Sequence, residues 1–152
     1  MEYLLRLRDE CLLIEQCDSL MTYLQQFADP VKVARVGLIK LDHIYYKHDQ
    51  IYAKTKEALK GKADKLKEIY FPTGPTEKAV DTLVASVITH CDKKMKIRAI
   101  LLQVYHHAIH NRFNEARDLL MKARISQIIA KQQISIQIQY NRAIVQIGLA
   151  AF

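Results

Sequence analysis

The sequence predicts an all-α fold built from antiparallel helical hairpins that stack side by side as an α-solenoid. Apolar residues recur at intervals of three and four positions in nearly every segment, which is the spacing of one buried helix face. Only four glycines and three prolines occur in 152 residues, so few turns are forced and long helices are favoured over many short strands. Half of the residues are apolar, which is enough for one domain with a substantial core.

Two helices are predicted in the first third of the chain. Residues 9–27 repeat apolar side chains with helical spacing. Asp29 is a typical N-cap and Pro30 suits the first helical turn, so a second helix begins there and extends to about residue 48. The lysine-rich residues 50–70 form either one helix or two short ones.

The run Phe71-Pro72-Thr73-Gly74-Pro75 is the clearest break in the chain. Both flanks are helical and neither is long enough for a large core alone, so we interpret residues 71–75 as a turn within one domain, residues 1–152. The last residues, 148–152, are apolar and carry no capping signal. From this ending we expect the helical-repeat region to be a fragment of a longer polypeptide.

Four further helices are predicted after the break. The first is capped by Thr73 or Thr76, a hairpin follows at about 92–110 and 114–131, and the last begins near Ser135. Residues 134–138 alternate in polarity like a strand, and we expect the helical context to override that pattern.

The last helix has an apolar stripe that consists of Ile136, Tyr140, Ala143, Ile147 and Ala150. We expect a covering partner for this helix, at Tyr140, Ile147 and Phe152, to come from outside the chain.

The hairpin is the most informative part of the sequence. Asn111 stands where a helix ends in the left-handed conformation, a role in which asparagine substitutes for glycine. The pattern Asn111-x-Phe113-x-x-Ala116 resembles the hinge of a tetratricopeptide-type hairpin, a unit that builds protein scaffolds and contains no chemistry. The sequence therefore favours a scaffold over an enzyme.

No catalytic, metal or cofactor site is predicted. His106 and His110 share a helix face, but the glutamate and third ligand of a zinc-protease helix are missing. The sequence has no glycine-rich phosphate loop and no nucleophile elbow. Its three cysteines have no metal or disulfide spacing, so we interpret them as reduced core thiols of an intracellular protein. A metal-dependent enzyme would require stoichiometric zinc in the purified protein.

The net charge of +7 is unevenly distributed. Residues 1–30 carry two basic and six acidic side chains, whereas residues 31–98 carry fifteen and eight. An acidic start and a basic body are typical of a protein that contacts nucleic acid or an acidic partner. A solvated lysine surface is the alternative.

Two groups of basic residues are candidate contacts to RNA phosphates or to an acidic partner. The first crowds the start of a helix, where the macrodipole disfavours cations, and consists of Lys93, Lys94, Lys96 and Arg98. The second recurs every seven residues as a stripe of Arg117, Arg124 and Lys131.

Two blocks of the sequence are long and idiosyncratic. The first block consists of Tyr105, His106, His107, Ala108 and His110, followed by Arg112, Ala116, Arg117 and Asp118. The second consists of Tyr140, Asn141 and Arg142, followed by Gln146 and Gly148. Together the two blocks resemble the c-type subunits of eukaryotic translation initiation factor 3, and with this resemblance the chain's contacts to ribosomal RNA become an expectation. The chain departs from the family at Phe113-Asn114, where a Trp-Tyr pair is frequent.

This resemblance implies the helical part of a PCI domain without its winged helix. It further implies a cytoplasmic scaffold that binds other subunits of the factor, especially another PCI subunit, and the small ribosomal subunit. No membrane and no small-molecule substrate are implied. The alternative is a PCI subunit of the proteasome lid or the signalosome, which would share the helical spacing but not the two blocks.

Overall fold

The computed structural model describes residues 10–51 and 76–152, the side chain of residue 11 excepted. The helices in these residues are α1 (Glu10–Gln26), α2 (Pro30–Ile44), α3 (Thr76–His90), α4 (Lys93–Ile109), α5 (Phe113–Ala123) and α6 (Ile134–Ala150). Two 3-10 turns, Ile125–Gln127 and Ile129–Lys131, connect α5 to α6. The described residues contain no strand, which confirms the all-α class; the residues predicted as a turn at 71–75 and as helix at 50–70 lie outside them.

The boundaries of α2 show how local chemistry sets a helix. Asp29 is the N-cap, and its carboxylate accepts a hydrogen bond from the backbone N–H of Lys32 at 3.1 Å. The helix ends at Ile44, which is earlier than the end predicted from the sequence, at about residue 48. One reason is that the carbonyl of Tyr45 lies 3.1 Å from His106 Nδ1 of α4 instead of continuing the helical ladder.

The hinge between α4 and α5 has the predicted conformation. Asn111 adopts a left-handed backbone with φ of 59°, and its N–H donates to the carbonyl of Ala108. Ala108 and Ala116 are both buried, so the small side chains allow the two helices to approach closely. Residues 134–138 are helical, as expected.

The predicted extent of the hairpin's second helix, 114–131, is wrong. α5 ends at Ala123 because Arg124 adopts a left-handed conformation with φ of 49°. This reversal directs Ile125 into the core, where it is 1% exposed. Arg117, Arg124 and Lys131 therefore do not form a stripe on one helix.

The core consists of two apolar clusters, and α4 contributes to both. Ala99 and Leu102 pack with residues of α1, α2 and α3, whereas Leu101 and Val104 pack with residues of α5 and α6. The predicted stripe of α6 lies against the second cluster. Residues 140 and 147 of that stripe are thus covered within the chain, contrary to the expectation of an outside partner for Tyr140 and Ile147.

Two cysteines lie in the first cluster, as predicted. Cys17 is fully buried and Cys91 is 8% exposed. Burial raises the pKa of the Cys17 thiol to about 11, so this side chain stays protonated and packs as a small apolar group. The side chain of residue 11 lies outside the described part.

Truncation of the core at α4 should destabilise the domain. Leu101 is 1% exposed, so Leu101→Ala should lower the free energy of unfolding by about 2–5 kcal/mol through lost burial and a cavity. Leu120, on the other helix of the hairpin, is only partly buried, so Leu120→Ala should lower the free energy of unfolding by less than Leu101→Ala does. The exposed Lys122→Ala is the control and should cost under about 0.5 kcal/mol in urea unfolding. Equal losses for Leu101 and Lys122 would contradict the assignment of the buried faces.

Candidate functional site

The first motif block lies at the carboxyl end of α4, where His106 is 1% exposed. Its Nδ1 lies 3.1 Å from the carbonyl of Tyr45, and since a carbonyl only accepts, Nδ1 carries the proton of this hydrogen bond. Its Nε2 lies 3.4 Å from the hydroxyl oxygen of Thr76. Burial, followed by the charge of His110, lowers the pKa of His106 to about 4, so the ring is neutral at pH 7.

Asp49 connects this end of α4 to the start of α3. Its carboxylate accepts from Thr76 twice, from the hydroxyl at 2.6 Å and from the backbone N–H at 3.3 Å. Burial acts to raise the pKa of Asp49, but the two hydrogen bonds and the nearby histidines outweigh it and lower the pKa below its usual value. The pair fixes the first turn of α3.

His110 completes the contacts at this junction. Its Nδ1 donates to the carbonyl of His106 at 2.9 Å, and its ring stacks on His48 at 4.6 Å between centroids. Its Nε2 lies 3.8 Å from Asp49 and has no hydrogen-bond partner among the described residues. The histidines His106 and His110 therefore join α4 to the end of α2 and the start of α3.

His107 faces a different group of charges. Its Nδ1 is buried, has no hydrogen-bond partner among the described residues and lies 3.7 Å from Glu115. The ligand atoms of Glu77, His107 and Glu115 all lie within 4.8 Å of one another, a grouping that could hold a metal ion. The guanidinium of Arg112 already pairs with both glutamates and supplies the positive charge there. No sequence pattern indicates Glu77 at this site, since it lies thirty residues before His107.

The first basic group is divided by the fold. Arg98 donates to both carboxylate oxygens of Asp42, at 2.8 and 3.2 Å, so it is engaged within the chain and is not a free member of the group. Burial nevertheless raises the pKa of Asp42 above its usual value. Lys93 and Lys94 are exposed, Lys96 is partly exposed, and no described carboxylate lies within 4.0 Å of any of the three.

The second basic group is also dispersed. Arg117 lies over the ring of Phe113 and pairs with its neighbour Asp118 at 2.9 Å. Arg124 and Lys131 are exposed on separate turns after α5. The three members of this group therefore do not lie on one helix face.

The second motif block lies on α6. The guanidinium of Arg142 lies 5.9 Å from the ring centroid of Tyr45 and 5.7 Å from that of Tyr105, which joins α6 to α2 and α4. Asn141 and Gln146 line a shallow groove beside Tyr105, with a volume of about 360 Å³. Gly148 is exposed, and a side chain there would meet nothing within 4 Å.

Comparison with known proteins places this helical frame in a family. The model of the family described as "Eukaryotic translation initiation factor 3 subunit 8 N-terminus" matches residues 1–152. Two proteins named as the C subunit of this factor, from Scheffersomyces stipitis and Xenopus tropicalis, are 35% and 34% identical over 99% of this chain. The chain belongs to the family of N-terminal regions of this subunit.

The matched region is a small part of these relatives. It spans 19% of the Scheffersomyces stipitis protein and 17% of the Xenopus tropicalis protein. A further relative of the same name, from Dictyostelium discoideum, is 29% identical over 99% of the chain and 15% of its own length. Across residues 10–51 and 76–152, none of the helices has the length and apolarity needed to cross a membrane.

The neutral, buried His106 makes stability depend on pH. Between pH 6.5 and about 4 the unfolded chain binds a proton at this histidine while the folded chain does not, so the free energy of unfolding falls as the pH falls through that window. The loss from this group should approach roughly 3 kcal/mol at pH 4.

Urea unfolding at several pH values measures this effect. His106→Asn keeps a donor near the Tyr45 carbonyl and should remove the contribution of His106 to the slope of the free energy of unfolding against pH. The exposed His90→Asn control should preserve that contribution. Identical slopes in the two variants would show that His106 is not the group that titrates.

Proposed function

We propose that this chain is a non-enzymatic, architectural part of cytoplasmic eukaryotic translation initiation factor 3. The observation that carries the proposal is the family match over residues 1–152, because each relative named above is a subunit of that factor. The structure supports a scaffold because the most distinctive side chains, His106, His110 and Arg142, are used to join helices to one another.

We further propose that the helices form the tetratricopeptide-like solenoid of a PCI-type subunit. Pairs of successive helices pack together as α1 with α2, α3 with α4 and α4 with α5, which supports a stack of hairpins. In such a stack each helix offers its outer surface to neighbouring subunits. The partners would be other subunits of the factor, especially another PCI subunit, and the small ribosomal subunit.

The surface we assign to the ribosome consists of Lys93, Lys94 and Lys96, named here the α4 lysine group. These cations occupy the first turn of α4, where the positive end of the helix dipole opposes them, and Asp92 makes no capping hydrogen bond with its side chain. Bound phosphate groups would offset the repulsion between the lysines and the helix dipole, and they would accept hydrogen bonds from backbone N–H groups that Asp92 leaves uncapped. Such contacts position a protein on RNA without reading its sequence.

Charge reversal tests this assignment. The variant with Lys93→Glu, Lys94→Glu and Lys96→Glu, placed in the reconstituted factor, should bind small ribosomal subunits more weakly. It should also reduce the slope of log affinity against log salt by roughly two to three, about one for each lost phosphate contact. Filter binding over a salt series gives both values.

The matched control reverses two exposed cations elsewhere, Arg124→Glu and Lys131→Glu, and should retain the slope. Assembly of the factor is measured in parallel. A factor that assembles poorly with the lysine variant, yet binds ribosomes with an unchanged salt slope once assembled, would show that the α4 lysine group is a protein interface.

A further inference from the structure

Helix α6 is apolar on two opposite faces. One face packs on the second cluster through Ile136, Ala143 and Ile147. The opposite face is the outer stripe, defined by the exposed residues Ile134, Ile138, Val145 and Leu149 of α6 together with Phe152, two residues after the helix ends. Arg142 is the single charged residue among the 17 residues of α6. One apolar face is enough to attach a helix to its core, and a second, exposed apolar stripe is typical of a contact surface.

The outer stripe has the geometry of a helix-binding surface. Its residues recur at intervals of three, four and seven positions and so follow one line along the helix. From Ile134 to Leu149 this line is about 22 Å long, the length of a helix of roughly 15 residues. Ile134, Val145 and Leu149 are 75%, 62% and 63% exposed. The groove between Tyr105 and the stripe adds a cleft beside this line.

Arg142 provides the polar feature of this surface. The rings of Tyr45 and Tyr105 hold its guanidinium, and no carboxylate of the described residues lies within 4.0 Å of it. Neither α6 nor the segment 124–133 before it contains an acidic residue, and that segment adds Arg124 and Lys131. A cation held in position within an apolar surface is complementary to a carboxylate.

We propose that the outer stripe docks an amphipathic helix of a partner protein, whose apolar side chains pack on Ile138, Val145 and Leu149 and whose acidic side chain pairs with Arg142. This contact goes beyond the ribosomal role, since it involves α6 and leaves the α4 lysine group free. A helix laid in an apolar groove is a recurring mode of recognition, with affinity from the stripe and specificity from the charged pair.

A second copy of this chain does not satisfy the same surface. Arg142 is the central residue of α6, so antiparallel pairing of two outer stripes would place the two Arg142 side chains together at the symmetry axis. Like charges in an apolar contact oppose association. The charge of the surface therefore selects an acidic partner rather than a homodimer.

Two designed peptides test the proposal. Both are 18-residue helices with the same leucine stripe, and they differ only in a central residue beside the stripe, which is glutamate in one and lysine in the other. Fluorescence anisotropy with the full 152-residue chain should show the glutamate peptide binding about tenfold more tightly. Arg142→Glu should invert this preference, and Lys78→Glu, an exposed control on α3, should leave it unchanged.

A third variant separates the stripe from the charge. Val145→Ser should weaken both peptides by a similar factor without altering their ratio, and because Val145 is exposed the fold should be retained, as circular dichroism would report. Equal binding of the two peptides, or no binding of either, would overturn the proposal. Concentration-dependent dimerisation that competes with the peptides would assign the surface to a second copy instead.

Discussion

The double use of α4 is the constraint on which the rest of the structure depends. Ala99 and Leu102 face the cluster formed with α1, α2 and α3, and Leu101 and Val104 face the cluster formed with α5 and α6. A helix that is buried on two sides has few positions for polar side chains along its length, and in α4 these are taken by Arg98 and Gln103, which pair with carboxylates of neighbouring helices. The lysines lie in its first turn and the histidines in its last. The two clusters cannot separate without exposing one face of this helix to water.

The burial of α4 explains the chemistry of its histidines. A polar ring at the end of a buried helix must find partners, and His106 finds one in the carbonyl that Tyr45 leaves free where α2 ends. The neutral state follows from the same burial. Arg142, which lies over the ring of Tyr45, joins α6 to this junction. Residues of the two sequence blocks thus specify how helices meet, and Arg142 is also exposed on the surface of α6.

Local patterns in the sequence predict much of the fold, but they do not indicate which residues pair when these are far apart in the chain. The stripe of α6, the Asp29 cap and the Asn111 hinge each depend on neighbouring residues, and all three were predicted. The end of α5 was missed because Arg124, unlike glycine or asparagine, does not signal a left-handed residue. The pairing of Arg98 with Asp42 joins residues 56 positions apart, so spacing within α4 does not indicate it. Of the outer stripe, only Phe152 was expected to need a partner from outside the chain, because the other apolar residues of the stripe overlap in sequence with those of the inner face.

Hydrogen exchange followed by mass spectrometry tests the shared helix most directly. If α4 holds both clusters together, its central amides, around Leu101 to Val104, should exchange only through global unfolding, with the free energy of unfolding measured in urea. Peptides of α1 to α3 and of α5 to α6 should reach that same limit in their buried positions. If instead one cluster exchanged by a separate, lower-energy opening while α4 stayed protected by the other, the two halves would be independent units. That result would contradict the account.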